Sequence, residues 1–84
     1  MPSADHISLM VLTPESTLLE RRVSKVSLPG TKGRFMILKD HAPIISSLEE
    51  GEIVFESEGM QEKIRIMSGF VEANANKVTV CAEL

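Results

Sequence analysis

The chain has no tryptophan, no tyrosine and a single cysteine, and each shortage closes off a class of protein. With three phenylalanines as its only aromatic residues, the core has to be assembled mainly from Val, Ile, Leu and Met. The lone Cys81 cannot form an internal disulfide, so folding needs no oxidising compartment. No apolar run approaches the roughly 20 residues that a membrane-crossing helix needs. The opening MPSADHIS has neither the basic segment nor the long apolar stretch of a signal peptide, which makes a soluble intracellular protein the expectation. Basic residues are also scarce. Nine Lys plus Arg stand against twelve Asp plus Glu, and the one basic cluster, Arg21-Arg22, is too small to make nucleic acid an expected partner.

What is present fits one small domain. Eighty-four residues have room for one hydrophobic core, so residues 1–84 read as a single unit. A hydrophobic content of 43% with a net charge of -3 excludes a disordered chain. Burial stabilises by roughly 25 cal/mol per Å², and a domain of this size hides only about 60% of its unfolded surface. Stability alone is expected to be modest, and docking on a partner would add to it.

Apolar residues recur at every second position in Ile7-Leu9-Val11, Ile64-Ile66, Val71-Ala73 and Val78-Val80, the period of strands with one face inward. Turn signals at Pro29-Gly30, Lys32-Gly33, Glu50-Gly51, Glu58-Gly59, Ser68-Gly69 and Asn74-Ala75-Asn76 separate them. The spacing predicts strands near 5–13, 20–28, 34–38, 44–48, 52–57, 61–67, 70–74 and 77–82, in an all-β sandwich or flattened barrel. SEGM reads as a tight hairpin with Gly59 taking a positive φ that Glu58 would resist. Residues 13–26 are open: Leu19, Arg22, Val23 and Val26 also fall at helical spacing behind Thr13-Pro14. If they form a strand, the three-residue step from Val23 to Val26 predicts a bulge.

Candidate chemistry is thin. His6 and His41 are far apart with no cysteine near either, which is not the ligand spacing of a zinc site. Ser46 or Ser68 with His41 and Asp40 makes a hydrolase triad on paper, but Asp40 adjoins His41 in a strand-like stretch and is expected to point the other way. Cys81 has no cationic neighbour to activate it and reads as small filler or an inert thiol. Gly30-Thr31-Lys32-Gly33 lacks the Gly-Lys-Ser/Thr ending and following helix of a phosphate loop, so it reads as a turn. Glu49, Glu50 and Glu52 read as a solvated face. What remains is His41-Ala42-Pro43. Proline holds Ala42 extended and removes one donor, which suits the approach to an edge strand. A contact surface and a histidine that caps a turn both fit that step.

The run VSLPGTKGRFMILKDHAPIISSLEEGEI followed by IRIMSGFVEANANKVTVCAE resembles the N-terminal domain of the epsilon subunit of F-type ATP synthases, from about Ile7 to Leu84. Val-x-x-Val, Gly-x-x-Gly, His-Ala-Pro, the strand-opening glycine and the segment before Val-Thr-Val occur in the family's order and spacing. The chain departs from the family pattern at Arg34, Met36 and Lys39-Asp40. The resemblance implies a flattened β-sandwich of about ten short strands, with strand rather than helix across residues 15–26. It also implies a noncatalytic central-stalk subunit without a cofactor, peripheral to the cytoplasmic side of the bacterial inner membrane and linking the gamma subunit to the ring of c subunits. By position, Thr13, His41, Ala42, Pro43 and Ser46 match residues near gamma, whereas Thr31, Lys32, Gly33 and Arg34 match the turn that approaches the c ring. The family usually continues into a C-terminal helical hairpin; this sequence stops at Leu84, so inhibition or nucleotide binding by such a hairpin is not expected of it. The alternative is a free-standing small sandwich that binds another protein or a small ligand.

Overall fold

Alternating side chains have to find a second layer to cover them, and here they do so through nine strands. The computed structural model describes residues 7–84. Within them run β1 (Ile7–Leu12), β2 (Thr17–Val23), β3 (Lys25–Gly30), β4 (Gly33–Leu38), β5 (Ile44–Leu48), β6 (Gly51–Ser57), β7 (Met60–Ile66), β8 (Ser68–Asn74) and β9 (Lys77–Glu83). Hydrogen bonding links them in the order β2-β1-β9-β8-β5-β3-β6-β7, with β4 also on β3. Lys25, Val26 and Ser27 pair with β4 and β6 at once, so these two flank β3 on opposite sides. β5 meets β3 at one residue pair, Leu48 with Gly30. The sheet folds over at that junction into two layers, β2-β1-β9-β8-β5 against β4-β3-β6-β7.

The core follows from the pairing register. Ile7, Leu9 and Val11 share an inward face with Val78, Val80, Val71 and Ala73. They meet Val26, Leu28, Ile37, Ile53, Phe55 and Ile66 of the other layer in one buried cluster. Phe55 is the one aromatic ring fully inside; the aliphatic composition supplies the rest. The expected all-β sandwich is therefore found. Against about ten strands implied by the resemblance, nine lie among the described residues, and Asp5 and His6, at the head of the first expected strand, lie outside them.

The segment expected as one strand over 20–28 is two, and the reason lies at Ser24. β2 ends at Val23 in the first layer and β3 begins at Lys25 in the second. Both Val23 and Val26 are fully buried, which an odd spacing permits only because the chain turns a corner between them and changes layer. Ser24 holds the corner by donating its backbone N–H to the Glu56 carbonyl at 2.8 Å. The bulge expected here is a corner instead; an irregularity does occur in the β1–β2 ladder between Val11 and Leu12. Residues 17–23 are strand because the inward side chains Leu19, Arg21 and Val23 pair with Val11, Leu9 and Ile7, a tertiary gain that overrides local helical spacing.

The hairpin at Glu58-Gly59 corrects a second expectation. Glu58 itself takes φ 53, next to Gly59 at φ 77. A two-residue connection that matches the right-handed twist of its strands needs positive φ at both central positions, so Glu58 is held where only the turn demands it.

Candidate functional site

Strand direction divides the candidate residues between the two ends of the sandwich. β1 and β9 finish at one end, where β5 and β3 also finish and β4, β6 and β8 start. That end carries Thr13 in the β1–β2 connection and the Thr31-Lys32 turn. The opposite end carries Asp40, His41, Ala42 and Pro43, beside the Ala75-Asn76 turn. Ser46 lies between, on β5. The structure therefore keeps His41, Ala42, Pro43 and Ser46 along one flank, groups Thr31, Lys32, Gly33 and Arg34 at the far end, and places Thr13 with the second group. A five-residue strand is about 17 Å long, so no compact contact spans Thr13 and His41 together.

The His41 end is built by a bracket. Asp40 takes φ 62, a left-handed conformation that Asp tolerates better than most residues. Its backbone N–H donates to Asn76 Oδ1 at 2.6 Å, and Asn76 Nδ2 donates back to Asp40 Oδ1 at 3.1 Å. The stretch expected to be strand-like is therefore a turn pinned to the β8–β9 connection. Beyond it, His41 is half-buried while Ala42 and Pro43 are exposed. His41 Nδ1 lies 2.7 Å from the Ala42 carbonyl oxygen, so this nitrogen is the donor, and in the neutral ring Nε2 is the acceptor. Among the described residues Nε2 is a buried polar atom with no hydrogen-bond partner. Such an atom costs about 1–3 kcal/mol when unmatched.

The hydrolase triad does not assemble. The Ser46 hydroxyl donates to the Ser47 carbonyl at 3.1 Å, Ser68 lies 3.4 Å from the Glu83 carboxylate, and Asp40 is engaged by Asn76. Among the described residues no group of three His, Cys, Asp or Glu side chains converges to hold a metal ion; His6 lies outside those residues.

At the other end Gly30 pairs with Gly33 across a two-residue turn of Thr31 and Lys32. Gly33 takes φ 123, a conformation an L side chain resists. Thr31 and Lys32 are exposed at its tip, and the Thr31 hydroxyl is 2.8 Å from that of Ser47. Lys32 forms no ion pair among the described residues. Arg34 is different: it folds back on the outer face of the second layer, with Nη1 donating to Ser27 Oγ at 2.8 Å and Nη2 to the Glu52 carbonyl. Both cations expected in this surface are exposed, and Lys32 is the one without an ion pair or hydrogen bond among the described residues. Of the three glutamates expected on a solvated face, Glu49 and Glu50 are exposed and Glu52 is half-buried; Glu50 accepts from Arg65 at 2.9 Å.

Sequence reasoning did not single out two further features. One is a cleft of about 720 Å³ at the Lys32 end, bordered by Leu12, Thr13, Pro14, Phe70 and Cys81. Phe70 and Cys81 stand opposite each other in the β8–β9 register, so the thiol is half-buried against a ring that is 53% exposed. The alternation Gly69-Phe70-Val71 was the available signal, since a buried Val71 puts Phe70 outside. The other is Ile45, 79% exposed between inward-facing neighbours on β5.

Comparison with known proteins agrees with this architecture. The family described as ATP synthase, Delta/Epsilon chain, beta-sandwich domain matches residues 6–84. The ATP synthase epsilon chain of Desulfitobacterium hafniense is 44% identical over 80 residues, covering 95% of this chain and 61% of the relative. That of Carboxydothermus hydrogenoformans is 44% identical over 79 residues, covering 94% and 59%. The chain thus spans about three fifths of the length of these relatives. Among solved structures, a chain of the Euglena gracilis mitochondrial ATP synthase (OSCP/F1/c-ring) superposes with a TM-score of 0.87 at 21% identity, over 93% of this chain and 51% of that one. A chain of the Tetrahymena thermophila mitochondrial ATP synthase central stalk/c-ring gives 0.79 at 13% identity, over 94% and 64%. Both likenesses concern the fold.

Proposed function

The chain belongs to the ATP synthase Delta/Epsilon chain beta-sandwich family, and from that premise we propose that it acts as a noncatalytic central-stalk subunit of an F-type ATP synthase. In this reading residues 1–84 are one epsilon-type domain, held between the gamma subunit and the c ring, that helps couple proton flow to ATP synthesis. It is peripheral to the membrane, on the cytoplasmic side in a bacterium.

The observation that carries the reading is the opposition of the two surfaces across one shared core. The His41-Ala42-Pro43 step and the Thr31–Arg34 turn lie at opposite ends of the same ladders, so a load applied at one reaches the other through a close-packed interior of low compressibility. The step offers an apolar surface, the exposed Ala42 and Pro43 beside the half-buried His41 ring, and gamma is its proposed partner. The turn offers Lys32 to the polar loops of the c ring, an electrostatic contact that salt weakens. Thr13 lies at the turn's end, so a gamma subunit that touches both Thr13 and His41 has to run the length of the β5 flank.

Reconstitution tests this. The chain mixed with purified gamma and a detergent-solubilised c ring is expected to co-sediment with both. Sedimentation with neither would favour the free-standing binding module, for which the cleft beside Phe70 is the place a small apolar ligand would fit.

A further inference from the structure

Left-handed backbone is concentrated beside His41. Among the described residues four that are not glycine take a positive φ: Asp40 at 62, Glu58 at 53, Ala75 at 51 and Asn76 at 60. Glu58 answers to its own hairpin. The other three meet where the β4–β5 connection touches the β8–β9 turn. Such conformations cost energy, persist where the surrounding structure over-determines them, and gather at sites of recognition. Ala75 and Asn76 form a two-residue connection across the Asn74–Lys77 pair, a geometry that glycine would take without strain.

A glycine in place of Asn76 would, however, leave the neighbouring turn untied. The Asn76 carboxamide puts an acceptor and a donor on one short planar group. Oδ1 accepts the Asp40 N–H at 2.6 Å and Nδ2 donates to Asp40 Oδ1 at 3.1 Å, while the Asn76 carbonyl accepts the Ser8 N–H at 2.9 Å. One residue thus ties the turn before His41 to the first strand of the core. The Asp40 carboxylate is exposed, so water competes for the bond between the side chains and the bond from the Asp40 N–H is the firmer of the two. Order then passes along the chain. The His41 ring closes on the Ala42 carbonyl at 2.7 Å, and Pro43 restricts Ala42 to extended backbone.

We infer that Asn76 is a positioning residue for the His41-Ala42-Pro43 step: acting through Asp40, its carboxamide fixes the direction in which Ala42 and Pro43 are presented to a protein partner. The inference rests on the reading of that step as the gamma contact. Asn76 acts by order rather than by contact, because a step already held in its bound shape loses less freedom on docking. Removing the bracket leaves the core untouched and lets the turn sample other conformations. Affinity then falls in proportion to the fraction of chains that keep the competent one.

Amide hydrogen exchange of the free 84-residue chain, followed by NMR, and calorimetry against purified gamma test it together. Asn76→Gly keeps the positive φ and removes the bracket. It is expected to speed exchange at Asp40 about tenfold, to leave exchange at Ser8 unchanged, and to weaken gamma binding by a similar factor. Ala75→Gly relieves the same turn without touching the bracket and is expected to change neither exchange at Asp40 nor affinity. Asn76→Asp sets two carboxylates against each other and is expected to lose part of the protection and part of the affinity. Adding Asp40→Asn to it rebuilds the pair with the side-chain donor and acceptor exchanged, and is expected to restore both. Unchanged exchange at Asp40 in Asn76→Gly, unchanged gamma affinity once that exchange has quickened, or a double variant no better than Asn76→Asp would each overturn the inference. A wild-type chain that does not bind gamma would instead contradict the gamma reading, and exchange at Asp40 and His41 would then still decide whether Asn76 orders the step.

Discussion

His41 spends stability on a nitrogen that nothing in the described chain satisfies. Replacing a buried, unmatched polar group costs the isolated domain little, because the lost atom was already a liability. His41→Ala is accordingly expected to change unfolding free energy by less than about 1 kcal/mol, while lowering affinity for gamma about tenfold, the loss of one central contact. Urea denaturation and calorimetry separate the two effects. Arg34 and Lys32 should part in the opposite way. Arg34→Ala removes the hydrogen bonds to Ser27 and Glu52 and is expected to cost about 1 kcal/mol of stability. Lys32→Gln should leave stability unchanged and reduce the salt dependence of c-ring association, measured by sedimentation over a range of ionic strengths. The family resemblance named both cations for the same surface. Which of them is tied to the chain was not legible, because it depends on Ser27 and the Glu52 carbonyl, which reach Arg34 only through the pairing of β3 with β4 and β6.

At the scale of elements, the strands were legible wherever one face alone is buried. Alternation located β1, β6, β7, β8 and β9 to within one or two residues of their observed bounds over the described chain. It failed where the chain leaves a layer. The corner at Ser24 looked like one bulged strand, since a local period cannot show that Val23 and Val26 belong to different sheets. The turn at Lys39-Asp40 looked extended, since the Asn76 side chain that pins it lies 36 residues away. The close approach of β8 to β9 makes a sharp test. A Cβ added at Gly69 would collide with the Cys81 carbonyl oxygen, so Gly69→Ala has to push the two strands apart. It is expected to destabilise by about 3 kcal/mol, read from the midpoint of denaturant unfolding. The Glu58-Gly59 turn predicts the reverse sign. Glu58→Asn puts a residue tolerant of left-handed backbone where φ is 53 and is expected to stabilise by about 0.5–1 kcal/mol.

For the whole molecule, two sheets closed over one aliphatic core make a spacer whose ends are unlike. One end presents an apolar step of Ala42 and Pro43, the other the Lys32 ammonium at the tip of a turn. The far edge of the sandwich is shut by Arg21, which pairs with Glu62 on β7 and lies 5.8 Å from the centre of the Phe55 ring. Half-exposed pairs of this kind contribute about 1 kcal/mol or less, so the layers are held chiefly by the core and the corner at Ser24.

Calorimetric titration of the 84-residue chain into an assembled gamma–c-ring rotor tests the stalk role most directly. Saturable one-to-one binding is expected, weakened by His41→Ala and made less sensitive to salt by Lys32→Gln. Absence of binding, or an affinity that both substitutions leave unchanged, would contradict it.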